Sequence, residues 1–229
     1  VKRSFINFFQ KRAKFPKFKS KKNNVKSYTT NCVNNSIRIE ENKYLVLPKL
    51  KRIKLKYHRE IPKDYKIKSV TLTNSNGNYY VSVLTEFEKE IQKIPSNDKV
   101  IGLDFSMSEL FVSSENQRAD YPRYFRMLEK KLKKLQKSLS RKVKFSKNWY
   151  KQKAKISKLH EYIKNCRRDF LHKLSKKLSE AYNAVVVEDL NMKGMSQALN
   201  FGKSVGDNGW GMFLRMLEYK LMFLGKQFL

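Results

Sequence analysis

Two acids stand where this sequence could do chemistry. Val100-Ile101-Gly102-Leu103-Asp104-Phe105 is a short apolar run with a carboxylate near its end, and Ala184-Val185-Val186-Val187-Glu188 repeats the arrangement. Apolar, β-branched runs of this length suit buried strands. In open α/β sheets, ligands gather at the carboxyl ends of such strands. Brought together there, Asp104 and Glu188 would repel unless a cation sat between them. Mg²⁺ suits such a site, because it takes one or two carboxylates and completes its shell with water and phosphate oxygens. Two such ions can activate water and stabilise the leaving oxygen of a phosphodiester. The pattern therefore points to a metal-dependent nuclease or strand-transfer enzyme, with both acids as catalytic metal ligands. Asp189 competes with Glu188, since alternation along a strand lets only one of the two face a given site. The plainer reading of each acid is a helix cap or a surface group.

Other catalytic chemistries lack their parts. His58, His160 and His172 are scattered, and no Ser-His-Asp, Cys-His or Gly-rich phosphate-loop arrangement occurs. Cys32 and Cys166 form no Cys-x-x-Cys pair, which argues against a disulfide framework and against a zinc site within these residues. No small-molecule substrate is expected.

The charge names the partner class. The 229 residues carry 51 Lys and Arg against 20 Asp and Glu, a net charge of +31. Each phosphate neutralised by a cation releases condensed counterions, so a nucleic acid is the simplest partner. Acidic membrane surfaces and acidic protein tails are the other polyanions. With 40% hydrophobic residues, the chain has material for a core and is no disordered basic tail. No apolar run reaches the length of a membrane span and no secretory signal is visible, so a cytoplasmic protein without a membrane partner is expected. The start at Val1 and the apolar pattern running into Leu229 suggest an internal part of a longer protein.

These acids and cations need elements to position them. Val1 to Lys26 interleaves Phe5, Phe8, Phe9, Phe15 and Phe18 with cations, including Lys17, Lys19, Lys21 and Lys22. That composition suits stacking on bases and contact with phosphates, or equally a helix end and loop packed on a further part of the protein. From Ser36 to Phe87 the pattern turns to short strands, with Ile37 and Ile39, then Ile53, Leu55 and Tyr57, alternating with polar residues. Ile67 to Thr73 and Tyr79 to Phe87 flank a turn in which Gly77 supplies positive φ. A small antiparallel barrel or curled sheet follows, ending in a linker at Ile94-Pro95-Ser96-Asn97-Asp98. The expected domains are residues 1–97 and 98–229.

In the second domain, Glu109 to Ser114 continues as a strand. Pro122 to Ala181 is helical: Phe125, Leu128, Leu132, Leu135 and Leu139 recur three and four apart, as do Ile156, Leu159, Ile163, Cys166 and Phe170. Ser140 to Asn148 interrupts them, giving a helical hairpin. Its outer face is basic, with Arg123, Arg126, Lys130, Lys134, Arg141, Lys142, Lys144, Lys147, Arg167 and Arg168 as candidate nucleic-acid contacts. A last helix spans Asn208 to Leu224, with Asp207 as its expected N-cap.

Several strings, in order, resemble the TnpB/OrfB family of transposon-encoded RNA-guided DNA endonucleases, long labelled transposases. Gly102-Leu103-Asp104-Phe105-Ser106-Met107 resembles that family's first RuvC motif, and Val187-Glu188-Asp189-Leu190-Asn191-Met192-Lys193-Gly194-Met195 its second. Pro122-Arg123-Tyr124-Phe125-Arg126, Leu139-Ser140-Arg141-Lys142 and Arg168-Asp169-Phe170-Leu171-His172-Lys173-Leu174-Ser175 resemble its helical region. Asp207-Asn208-Gly209-Trp210-Gly211 resembles the segment after the second motif, and Phe15-Pro16-Lys17-Phe18-Lys19-Ser20-Lys21-Lys22 the lead into its wedge domain.

The resemblance implies an α/β, RNase H-like RuvC fold with a long inserted basic hairpin, preceded by a wedge-like β-barrel. It implies three Mg²⁺-binding acids, of which Asp104 matches the first and Glu188 the second. The third follows a zinc ribbon, and the sequence stops before both, so structural zinc is expected only in a further C-terminal part. Most of the recognition domain that the family carries before Phe15 is likewise expected to lie outside this sequence. By itself such a chain should not be a competent nuclease. The implied partners are a guide RNA from the transposon end and a double-stranded DNA target read by base pairing. A catalytically inactive binder that regulates transposition, and an RNase H-like strand-transfer transposase, are the alternatives.

Overall fold

The computed structural model describes residues 2–17, 26–92, 94, 99–192, 194–195 and 207–229. They form two compact units that divide between Glu88 and Lys89. The expected boundary at Asn97 falls among residues 95–98, outside the described residues. Residues 89–94 belong to the second unit because they are pinned to it. Ile94 N–H donates to the Gly225 carbonyl at 3.0 Å, and Lys89 Nζ to the Phe223 carbonyl at 3.0 Å. Gly225 sits at φ +69°, and a Cβ there would collide with the Gln92 carbonyl oxygen.

The first unit holds helix α1 (Lys2–Phe9) and strands β1 (Lys26–Asn31), β2 (Arg38–Glu40), β3 (Tyr44–Leu47), β4 (Lys51–Lys54), β5 (Lys66–Ser75) and β6 (Asn78–Glu86). The β5–β6 hairpin turns through Asn76 and Gly77, both at positive φ, as a two-residue primed turn requires. The described strands pair as two antiparallel three-stranded sheets, β1-β5-β6 and β2-β3-β4, with no ladder joining them into a closed ring. Ile37, Leu45, Leu47 and Val70 form the shared core. β2 and β4 are only three and four residues long, which leaves little backbone to close a barrel.

The second unit is built on β7 (Val100–Phe105), β8 (Phe111–Ser113), β9 (Ala184–Val187) and β10 (Gln227–Phe228), with helices α2 (Tyr124–Ser140), α3 (Lys147–Ala181) and α4 (Trp210–Phe223). The sheet order is β10-β9-β7-β8; β8 runs antiparallel to β7, while β7, β9 and β10 are parallel. One face of the sheet, through Ile101, Leu103, Phe111 and Val185, packs on Leu171 and Leu178 of α3 and on Trp210, Phe213, Leu217 and Leu221 of α4. At about 25 cal/mol per Å² of apolar area removed from water, this is the main force ordering the unit.

α3 has 35 residues and serves two cores. Its first half pairs with α2 through Leu132, Leu159 and Ile163. Its second half enters the sheet's core. Ser146 caps its start by accepting from Trp149 N–H at 3.2 Å. Among the described residues, no helix is long and apolar enough to cross a membrane.

Candidate metal centre and nucleic-acid interface

β7 and β9 are neighbouring parallel strands whose register pairs Val100 with Ala184, Ile101 with Val185, Gly102 with Val186 and Leu103 with Val187. The register ends there, with Asp104 the next residue of β7 and Glu188 the first residue after β9. Parallel neighbours lie about 4.8 Å apart, and residues in register point to the same face. For Asp104 that face is not the core face. Ile101 and Leu103 are buried at 0% and 3% exposure, while Val100, Gly102 and Asp104 alternate with them to the other side. Val186 lies on the same open side at 41% exposure. Asp104, Glu188 and Asp189 are all exposed. Glu188 and Asp189 both follow the end of β9.

No ion pair among the described residues includes Asp104 or Glu188. Both acids are exposed, in a chain whose net charge is +31. Among the described residues no group of three or more His, Cys, Asp or Glu could hold a metal ion, so the pair is an incomplete ligand set taken alone.

The loop that leaves Asp104 is held firmly. Asn208, only 4% exposed, donates from Nδ2 to the Ser106 carbonyl at 2.9 Å and to the Glu109 carbonyl at 3.3 Å. Arg123 donates from Nε to the Ser108 carbonyl at 3.1 Å and from Nη2 to the same oxygen at 2.6 Å. Arg123 itself adopts φ 48°, an unfavourable conformation for a residue with a side chain.

Asp207 does not cap its own helix; Gly209, at φ 76°, occupies the N-cap of α4. Asp207 is 4% exposed, and its Oδ1 accepts from Phe125 N–H at the start of α2 (3.2 Å) and from Arg167 Nη2 (3.0 Å). A carboxylate at a helix N-terminus satisfies an orphan N–H and opposes the helix dipole, whichever segment supplies it. Tyr121 completes the cluster. Its hydroxyl donates to the Asp207 carbonyl at 2.7 Å and accepts from Arg167 Nε at 3.1 Å. Burial pushes the Tyr121 phenol up to about 12. Sequence reasoning missed the Tyr121–Arg167–Asp207 cluster and the role of Asn208. The one signal was two polar residues directly before the apolar face of α4.

The expected cationic contacts divide by placement. Arg123 and Arg167 are turned inward onto Ser108 and Asp207. Lys17, Arg126, Lys130, Lys134, Arg141, Lys144, Lys147 and Arg168 are exposed, and Lys142 is half-buried. Lys19, Lys21, Lys22 and Phe18 lie outside the described residues. Between Lys130 and His160 the hairpin carries thirteen Lys and Arg and no acid. Like charges one turn apart repel, so such a surface is costly without a polyanion beside it.

In the first unit, Phe15 packs edge-on against Phe5 (5.8 Å) and Phe8 (5.3 Å). Part of that aromatic set is thus engaged with itself. Phe9 and Phe15 remain 75% and 61% exposed.

Residues 81–199 match the family model OrfB_IS605, described as "Probable transposase". The chain belongs to that family. OrfB_IS605 relatives include the "Putative RNA-guided DNA endonuclease InsQ" of Escherichia coli, 35% identical over all of this chain and 59% of that protein. A "Putative RNA-guided DNA endonuclease" of Streptomyces pristinaespiralis is 31% identical over 98% of this chain and 55% of that one. The chain therefore spans a little over half the length of these relatives. Among solved structures it is similar in fold to a chain of the Cas12f1–sgRNA–target DNA complex. The TM-score is 0.50 at 13% identity, covering 72% of this chain and 36% of that one.

Proposed function

We propose that this chain is the portion of a transposon-encoded, RNA-guided, metal-dependent DNA endonuclease that supplies two nuclease acids and a basic grip on nucleic acid. The observation that supports the reading is the parallel β7–β9 pairing, whose last registered pair is Leu103 and Val187, the residues directly before Asp104 and Glu188. In this reading the second unit is a RuvC-like, RNase H-like domain. Its antiparallel β7–β8 pair followed by parallel β9 and β10, with a long helical insertion between β8 and β9, supports that assignment. The first unit is its wedge-like partner. A guide RNA and double-stranded target DNA are the partners.

The donor set of Asp104 and Glu188 fits Mg²⁺: exposed carboxylate oxygens, with no ion pair to either acid among the described residues. Asp104, at the end of β7, and Glu188, directly after β9, would hold a divalent metal, which would supply water activation and charge neutralisation to phosphodiester cleavage. Asn208 and Arg123 keep the loop after Asp104 from drifting, because a shift of an ångström there can cost a hundredfold in rate. The exposed hairpin cations hold the phosphate backbone and carry no sequence information. Base pairing with the guide reads the target.

The test is cleavage of a matched plasmid by the full-length protein with its guide RNA and magnesium. Asp104→Ala and Glu188→Ala should each cut at least roughly a thousandfold more slowly while still retaining the RNA in a gel shift. Cutting by Asp104→Ala at the unaltered rate would refute the assignment. Joining of free 3′ ends in place of cutting would identify a strand-transfer enzyme.

A further inference from the structure

The turn between α2 and α3 carries aromatics that the core does not use. Val143, Phe145 and Tyr150 are 79%, 64% and 53% exposed, within ten residues that also contain Arg141, Lys142, Lys144 and Lys147. The rings form a connected set. Phe145 and Trp149 lie 5.6 Å apart, and Trp149 and Tyr150 meet edge-on at 5.1 Å. Lys144 Nζ stands 5.3 Å from the Phe145 ring and Lys153 Nζ 5.1 Å from the Trp149 ring.

The set is held in place. Gln152, buried, donates to the Leu135 carbonyl at 3.0 Å and ties α3 to α2 just inside the turn. Ser146 fixes the start of α3. Phe145 adopts φ +69°, a conformation glycine would take more easily, so the ring is kept at a position that disfavours it. The turn also stands clear of the sheet's core: at 1.5 Å per residue, Trp149 lies about 33 Å along α3 from Leu171.

We infer that this tip is a stacking platform for unpaired bases, with the flanking cations gripping the phosphates of the same strand. The inference deepens the nucleic-acid reading of the hairpin and rests on it. Charge selects the occupant. A patch of exposed rings amid thirteen cations and no acid between residues 130 and 160 repels a cationic or apolar protein partner less than it attracts a polyanion. Aromatic faces among cations suit single strands, because every base has a π-face and a paired base hides it. A continuous duplex would meet only the lysines.

Trp149 makes the idea readable, since the other tryptophan, Trp210, is 2% exposed. A single-stranded RNA of about 12 nucleotides and a blunt RNA duplex of the same length are titrated into the full chain. The single strand should quench Trp149 fluorescence more strongly than the duplex, and Trp149→Phe should abolish that quench. Phe145→Gly with Tyr150→Ala should weaken single-strand binding roughly tenfold and leave duplex binding and the salt slope unchanged. Glycine suits φ +69°, so the turn keeps its shape, and an unchanged circular dichroism melt verifies this.

Lys142→Gln with Lys144→Gln and Lys147→Gln should weaken both RNAs and flatten the salt slope by about one per lost phosphate contact. If the aromatic variant binds single strands as tightly as the unaltered chain while the lysine variant is weak, the platform is overturned and the basic grip stands. If neither variant matters, both readings fall.

Discussion

The second unit treats its carboxylates in two opposite ways. Asp207 is 4% exposed and spends its charge on Arg167 and on the N-terminus of α2. Asp104 and Glu188 are exposed, and neither has an ion-pair partner among the described residues. A buried acid with a guanidinium beside it explains itself through the fold. Two exposed acids brought close together would be stabilised by a cation bound between them. The contrast separates acids that build the unit from acids that the unit presents.

The strongest way to break the contrast is to remove the structural acid. Asp207→Ala leaves Arg167 without its counter-ion and Phe125 N–H without its acceptor. It should cost about 3 kcal/mol, or roughly 6–12 °C in Tm for a chain of this size. Asp207→Asn, which retains an acceptor for the amide, should lose less. A calorimetric or circular dichroism melt decides it. A Tm for Asp207→Ala within a degree or two of the unaltered chain would mean that the buried pair does not hold the unit together.

The contrast was only partly legible in the sequence. β7 and β9 were visible as apolar, β-branched runs, and the α2–α3 hairpin as a spacing of three and four. The Asn76-Gly77 turn was visible from its glycine. That β7 and β9 pair directly, with Leu103 opposite Val187, was not visible, because it depends on a register set across an insertion of some eighty residues. The expected N-cap role of Asp207 failed for the same reason. Its two partners lie 40 and 82 residues away, and no local spacing encodes them. Arg123 and Arg167 looked like part of a phosphate-binding face. A guanidinium's partner is chosen by tertiary packing, and these two point inward to Ser108 and Asp207. The family likeness in the motifs supplied the pairing of the two acids; periodicity alone did not.

The exposed pair predicts the opposite response to neutralisation. Asp104→Asn with Glu188→Gln removes a repulsion and breaks no protein contact, so the variant's Tm without metal should equal or exceed that of the unaltered chain. Magnesium should raise the Tm of the unaltered chain by about 3–6 °C at ten times its Kd, and should leave the double variant unmoved. An equal magnesium shift in both proteins would show that the ion binds elsewhere.

The smallest effect sharpens the structural side of the contrast. Lys220 of α4 donates from Nζ to the His172 carbonyl at 2.8 Å and to Ser175 Oγ at 2.5 Å, so a half-buried charge is spent on α3. Burial holds the Lys220 ammonium below its ordinary range. Burial also holds His172 below its usual value near 6.5, helped by the positive charges of Lys220 and Arg168 and opposed by Asp169. The unfolded chain therefore takes up a proton at His172 before the folded chain does. The resulting stability is fully present above the ordinary value and is lost as pH falls from there through the depressed one. His172→Gln should flatten the fall in Tm between about pH 7 and pH 5, and Asp104→Asn with Glu188→Gln should not. An unchanged slope in His172→Gln would mean that the proton is taken up elsewhere in the fold, and that Lys220 satisfies α3 without disfavouring the charged imidazole.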